Sequence, residues 1–302
     1  MSAREITAVA PPVPAPAAVL ELFKPITWFA PMWAFMCGVV SSGLPVSARW
    51  PLLLGGIILA GPLVCATSQA VNDWYDRHVD AINEPGRPIP SGRIPGDWGF
   101  WIGVAWTAIS LAFSSLLGVW VFLAASLGLM LSWAYSAPPL RLKQNGWLGP
   151  AAVAVSYEGI SWFTGAAVMR SALPDWRILF LAACYSVGAH GIMTLNDFKA
   201  VEGDSRMRIR SLPVELGVDN AALIACTMMA LPQIVVVVRL AAWGRPGYSA
   251  IVGAFLAVQF VLMGRLLRDP RKYAPWYNAT GTSLFVFGML ASAFAVRPLV
   301  GG

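Results

Sequence analysis

This chain is short of charge. Only 12% of its 302 residues are Asp, Glu, Lys or Arg, roughly half the share of a soluble domain. With 57% hydrophobic residues and a mean hydropathy of +0.64, the solvent that tolerates such a surface is a bilayer. The expectation is an all-α, polytopic membrane protein. Metal-binding and disulfide patterns are missing too. Cys37, Cys65, Cys184 and Cys226 stand far apart in apolar runs with no CxxC pair, and there are only two histidines. Zinc sites and disulfide frameworks are therefore poor readings. A signal peptide is also unsupported, because prolines 11, 12, 14 and 16 interrupt the first 20 residues. Residues 1–20 read as a disordered tail and 21–302 as a single membrane-embedded domain.

Nine apolar segments are each long enough to span, at about 20 residues apiece: 26–44, 51–71, 98–116, 118–136, 148–168, 176–196, 218–238, 247–267 and 278–297. Of the 21 Lys and Arg residues, 15 fall on the N-terminus and on connections 2–3, 4–5, 6–7 and 8–9. The bias puts those flanks, and the N-terminus, in the cytoplasm. The net charge of +6 then describes a basic membrane face rather than a nucleic-acid surface.

Against this background one stretch stands out. Residues 72–93, NDWYDRHVDAINEPGRPIPSGR, hold four carboxylates and three arginines directly behind the uncharged run 52–70. A second cluster, NDFKAVEGDSRMRIRSLP (196–213), begins with the same Asn-Asp pair four spans later, on the same side. Each runs into a basic segment closing on Ser and Pro, a weak internal repeat.

The spacing carries chemistry. Asn72, Asp76 and Asp80 are four apart, and at about 100° per residue they drift only about 40° per step on a helix. If span 2 continues as a helix, they line one stripe, with Asp73 and Arg77 beside it. Oxygen ligands so placed suit Mg²⁺, which is usually held by one or two carboxylates plus substrate phosphates. In the second cluster Asp197 and Asp204 are seven apart, nearly eclipsed on a helix, with Asn196 and Glu202 nearby. Two such clusters facing one another could hold a Mg²⁺–diphosphate, with Arg87, Arg93, Lys143, Lys199 and Arg210 supplying cations for phosphate. Taken singly, an acidic loop after a helix is ordinary turn and capping chemistry. A lone Asp triplet would also fit Ca²⁺ or a channel mouth. Two clusters on one side, each trailed by cations, favour an anionic ligand.

The run NDWYDRHVDAINEPGRPIPSGRI resembles the first aspartate motif of the UbiA superfamily of intramembrane prenyltransferases, in the form seen in its chlorophyll and bacteriochlorophyll synthase branch. YSAPPLRLKQNGWLGP (135–150) and NDFKAVEGD…RSLPVELG (196–217) resemble that branch as well, and SYEGISWFTGAAVM (156–169) resembles its purple-bacterial members. The resemblance implies transfer of a C20 prenyl group, geranylgeranyl or phytyl, from its diphosphate to the propionate of bacteriochlorophyllide. It implies Mg²⁺ as cofactor, a UbiA-type bundle whose site opens to the cytoplasm, and residence in the bacterial inner, photosynthetic intracytoplasmic membrane. It also admits contacts with other pigment-biosynthesis or photosystem-assembly proteins. By the family pattern Asn72, Asp76 and Asp80 hold Mg²⁺ and diphosphate. In the second motif many members carry three acids four apart. Here those positions are Asn196, Ala200 and Asp204, so the middle carboxylate is missing, and Asp197 and Glu202 are the candidate replacements.

Ionisation of an allylic diphosphate needs stabilised negative charge, from Mg²⁺, Arg and Lys, and a tolerated cation, for which aromatic faces serve. Trp74, Tyr75, Tyr135 and Tyr157 are candidates, although most of the 14 Trp must be packing or interfacial residues. Glu158 falls midway through the fifth span, where a carboxyl is costly and hints at function; it either meets the macrocycle or pairs with another helix. His190, in the sixth span, either ligates the chlorin's magnesium or hydrogen-bonds between helices. His78 reads as a loop residue near the diphosphate. Competing classes are another UbiA-type enzyme acting on a quinone precursor or haem, a transporter, and a non-catalytic pigment-binding factor. A transporter usually places charges near the midplane at broken helices, and here Glu158 is the one strong case.

Overall fold

Long apolar runs with internal Gly and Pro fold as helices because in lipid every backbone N–H and C=O must be satisfied within the segment. The computed structural model describes residues 13–207 and 209–300, and among these it contains helices and turns but no strand. Residues 1–12 of the expected tail lie outside the described residues. The expected disorder to residue 20 is too long, because α1 (Pro16–Leu22) already starts at Pro16. Its Ala18 and Leu22 pack with Phe23 against Ala66, Ala70 and Ile102.

The remaining helices are α2 (Phe29–Ser41), α3 (Trp50–Ile58), α4 (Ala66–Asn83), α5 (Trp98–Leu116), α6 (Val119–Ser136), α7 (Leu148–Ala154), α8 (Ser161–Arg170), α9 (Trp176–Asn196), α10 (Val201–Arg206), α11 (Leu212–Leu216), α12 (Val218–Ala242), α13 (Pro246–Leu266) and α14 (Pro270–Val300). Two π-helical stretches join what would otherwise be separate rods. Leu59–Cys65, which contains Pro62, joins α3 to α4, and Val155–Ile160 joins α7 to α8. A proline removes a backbone donor and crowds the preceding turn, and a locally wider helix accommodates it.

Seven helical runs are long and apolar enough to cross a membrane: 50–83, 98–116, 119–136, 176–199, 218–242, 246–266 and 270–300. The other two expected spans correspond to a shorter apolar helix, Pro25–Ser41, and to the Leu148–Arg170 run interrupted by the π stretch. The expected count of nine is therefore not confirmed. Outward-facing Val261, Met130 and Val238 are exposed, as a lipid-facing surface requires.

Packing inside the bundle follows membrane rules, in which small residues allow close approach and polar groups find partners across helices. A Cβ on Gly38 of α2 would collide with the Trp162 carbonyl of α8, and one on Gly165 of α8 with the Phe35 carbonyl of α2. Only glycine allows this crossing. The Trp162 indole N–H donates to Ser41 Oγ at 3.1 Å, and its ring stacks on Tyr185 of α9. Buried Gln233 of α12 and Gln259 of α13 exchange amide hydrogen bonds of 3.1 and 3.0 Å. These contacts fix the helices whose polar ends gather at one end of the bundle.

Candidate active site

The helix condition on the first motif is met, since α4 continues without a break to Asn83. Asn72, Asp76 and Asp80 therefore share a stripe, and all three line a cavity of about 860 Å³. Asn196, Asp197 and Asp204 line the same cavity from the opposite wall. The second motif is built differently from expectation. After α9 the chain makes a short 3₁₀ turn, Asp197–Lys199, before α10 begins. Asp197 and Asp204 are thus not eclipsed on one helix, and the turn brings both to the cavity. The structure also separates the two candidates for the missing carboxylate. Asp197 faces the cavity, whereas Glu202 is exposed and receives Arg271 Nη1 at 3.0 Å.

Cations reach the first motif from a loop distant in sequence. Lys143 Nζ lies 2.5 Å and Arg141 Nη2 3.6 Å from Asp76 Oδ1, and both cations line the cavity. Arg141 is a functional candidate that sequence reasoning missed. It stands two residues from Lys143 in a left-handed backbone conformation, a reversal no side-chain pattern announces. The loop is anchored by backbone pairing with the second motif: Gly146 N–H donates to the Arg210 carbonyl at 2.7 Å and Arg210 N–H to the Gln144 carbonyl at 3.0 Å. A side chain at Gly146 would strike Leu212 N and the Arg210 carbonyl.

Burial pulls the Lys143 ammonium below the usual lysine range, against the opposing attraction of Asp76. Burial likewise pushes the Asp204 carboxyl above the ordinary aspartate range. The cavity is thus a partly desolvated place, where charge–charge contacts are stronger than in water.

Several expected site residues lie elsewhere. Arg87 is directed at the first motif from outside the cavity lining, with Nη1 2.7 Å from Asp80 Oδ2 and Nε 2.7 Å from Glu84 Oε2. Arg93 pairs with Glu21, and Arg210 with Glu215, its side chain 73% exposed. Neither guanidinium reaches the cavity lining, because each has an acidic neighbour on the surface. Lys199 is exposed beyond the rim. Tyr75 packs edge-on against Trp133 and Trp74 lies under Arg77; both are packing residues. His78 is an exposed residue of α4, not of a loop.

Tyr135 and Tyr157 do line the cavity. The Tyr157 hydroxyl accepts from Gln69 Nε2 at 3.2 Å and lies 3.5 Å from Cys65 Sγ, so it sits where the two π-helical stretches face each other. Glu158 is buried outside the cavity lining, and its Oε2 has no hydrogen-bond partner among the described residues. His190 Nε2 is 3.0 Å from the Trp147 carbonyl. That nitrogen is engaged in a helix–loop hydrogen bond rather than one between helices. His190 borders a separate, apolar hollow of about 710 Å³ between α6, α8 and α9.

Among the described residues no three acidic, histidine or cysteine side chains come close enough to hold a metal by themselves. The donor set nevertheless fits a hard divalent cation. Amide and carboxylate oxygens face each other across one cavity, one amide and two carboxylates from each wall, and Mg²⁺ characteristically completes its shell with water and substrate phosphate.

Comparison with known proteins agrees with this geometry. The model of a family described as the UbiA prenyltransferase family matches residues 23–296. The chain is 55% identical over 287 residues to the bacteriochlorophyll synthase 33 kDa chain of Cereibacter sphaeroides, covering 95% of each chain. It is 38% identical to the chloroplastic chlorophyll synthase of Oryza sativa subsp. japonica, covering 91% of this chain and 76% of that one. Its fold matches a UbiA homolog from Archaeoglobus fulgidus bound to DMAPP and Mg²⁺ with a TM-score of 0.75 at 19% identity, over 93% and 99% of the two chains.

Proposed function

Because the chain belongs to the UbiA prenyltransferase family, we propose that it transfers a C20 prenyl group, geranylgeranyl or phytyl, from its diphosphate to the propionate carboxylate of bacteriochlorophyllide. The observation that carries this reading is the 55% identity, over 95% of both chains, to a bacteriochlorophyll synthase chain. The margin over the 38% identity to a chlorophyll synthase favours the bacterial pigment acid as acceptor.

The chemistry follows from the cavity. The allylic C1–O bond breaks, pyrophosphate leaves with the electron pair, and a propionate oxygen bonds to C1. When bound, Mg²⁺ supplies the Lewis acidity that stabilises the leaving diphosphate. Asn72, Asp76 and Asp80 on one wall, with Asn196, Asp197 and Asp204 on the other, are the residues to hold it. Lys143 and Arg141 stand at the same wall and serve the phosphate oxygens. Tyr135 and Tyr157 offer ring faces to the developing allyl cation. The acceptor has a carboxyl pKa of about 4.3, like Glu, and is already ionised at neutral pH. No proton-abstracting residue is required.

From the likeness to a bacterial bacteriochlorophyll synthase chain we place the protein in the bacterial inner, photosynthetic intracytoplasmic membrane, and from the Lys and Arg bias its N-terminus and cavity mouth on the cytoplasmic side. The decisive experiment combines purified protein, Mg²⁺, geranylgeranyl diphosphate and bacteriochlorophyllide, with the ester followed by chromatography. Absence of product, or equal use of chlorophyllide in competition, would overturn the assignment. The same assay in sealed inverted vesicles, but not right-side-out ones, tests the orientation.

A further inference from the structure

Asp73 is the least exposed acid of the first motif, at 1%. On α4 it is seven residues before Asp80, so the two side chains leave the helix at azimuths about 20° apart. The cavity is lined by Asp80 and not by Asp73. Asp73 Oδ1 receives Lys24 Nζ at 2.6 Å and Arg87 Nη1 at 3.4 Å, while the same Arg87 nitrogen lies 2.7 Å from Asp80 Oδ2. Its other oxygen, Oδ2, is buried without a hydrogen-bond partner among the described residues.

Two cations and two carboxylates form a nearly balanced cluster behind the cavity wall. Each cation belongs to a segment that must be held in place. Lys24 has a left-handed backbone, φ 46°, which a non-glycine residue adopts only when its surroundings enforce it. Immediately after it, Ile26, Thr27 and Ala30 form part of the cavity lining. Arg87 begins the basic turn after α4, and its guanidinium is pinned to Glu84 as well.

We propose that Asp73 is a positioning residue, a buried counter-ion that fastens the Lys24–Ala30 wall and the Arg87 turn to α4, and not a metal ligand. It holds Arg87 on Asp80, so that the guanidinium is aimed when a diphosphate arrives, and it closes the N-terminal wall over the prenyl chain. The proposal rests on the prenyl-diphosphate reading above. It predicts that the roles of Asp73 and Asp76, three residues apart, separate experimentally: one governs affinity for the prenyl diphosphate, the other for the metal.

The test uses the full chain in detergent with Asp73→Asn, Lys24→Met and Asp76→Asn. Calorimetry reads geranylgeranyl diphosphate binding at saturating Mg²⁺, and the free Mn²⁺ spin signal reads metal binding in the presence of pyrophosphate. For Asp73→Asn we expect prenyl-diphosphate affinity to fall about tenfold or more, the size of one lost charge-assisted contact, with Mn²⁺ affinity unchanged. Lys24→Met should move the same quantity in the same direction, and Asp76→Asn should lose Mn²⁺. Wild-type-like prenyl-diphosphate binding in Asp73→Asn overturns the proposal, and so does a loss of Mn²⁺ matching that of Asp76→Asn. If Asp73→Asn does not fold, the quarter-exposed Lys24 decides, and unchanged affinity in Lys24→Met refutes the role. A wild-type protein that binds no prenyl diphosphate sinks the parent reading itself, a result distinct from any difference among variants.

Discussion

Replacing Asp76 by Asn keeps the side chain's size and its ability to accept from Lys143 but removes the charge that three groups share. Lys143 is only 11% exposed and lies 2.5 Å away, with Arg141 at 3.6 Å. At an effective dielectric of about 20 the gross attraction of such a pair is about 4 kcal/mol. Breaking a fully buried pair from one side costs about 3–5 kcal/mol. Asp76 is 21% exposed, so water screens part of the loss, and about 2 kcal/mol of stability is the expected cost. The cost to turnover is larger, because on the proposed reading Asp76 would help hold the Mg²⁺ that offsets charge growing on the leaving diphosphate; about 100- to 1,000-fold in kcat matches the loss of one preorganised electrostatic contact. Lys143→Met added to Asp76→Asn removes the stranded cation, and most of the lost stability should return while activity does not. Thermal unfolding in detergent reads the first effect and chromatographic ester formation across a Mg²⁺ series reads the second. Turnover in Asp76→Asn within a factor of about three of wild type, under 1 kcal/mol in barrier, would refute the role. Recovery of activity in the double variant would show that the pair, and not the metal, had been the source of the defect.

Two further expectations are independent of that pair. Gly38→Ala drives a methyl group into the Trp162 carbonyl at the α2–α8 crossing, so an unfolding midpoint lowered by about 1–3 kcal/mol of overpacking is expected; an unchanged midpoint would mean that the helices separate freely. The pH dependence of kcat/KM should show no essential base titrating near neutrality, since the propionate, with a pKa of about 4.3, is already an anion, and a rising limb near pH 7 in a stopped assay would contradict the mechanism.

The one-dimensional part of this architecture was open to reading: apolar runs long enough to span lipid, and a polar stripe at 72, 76 and 80 whose spacing already meant one face of a helix. What could not be read depends on where the chain reverses. Glu202 and Asp197 were equivalent in the sequence, and only the 3₁₀ turn at Asp197–Lys199 sends one inward and the other toward Arg271. The basic residues show the same limit. Five were expected to serve phosphate, yet Lys143 is the one that lines the cavity, because Arg93 and Arg210 have acidic neighbours at Glu21 and Glu215. Lys24 carried no signal at all, lying 49 residues before Asp73 in the sequence.

The two walls of the cavity are electrostatically unlike, and this bears on how the reaction is staged. On the first wall Asp76 and Asp80 each have a cation in contact. On the second, Asp197 and Asp204 have no salt-bridge partner among the described residues, and burial raises the Asp204 carboxyl. Like charges gathered in a desolvated cavity repel unless a cation joins them. On the proposed reading the second wall would therefore gain most from an added divalent ion, while the first already has Lys143 and Arg87 beside Asp76 and Asp80.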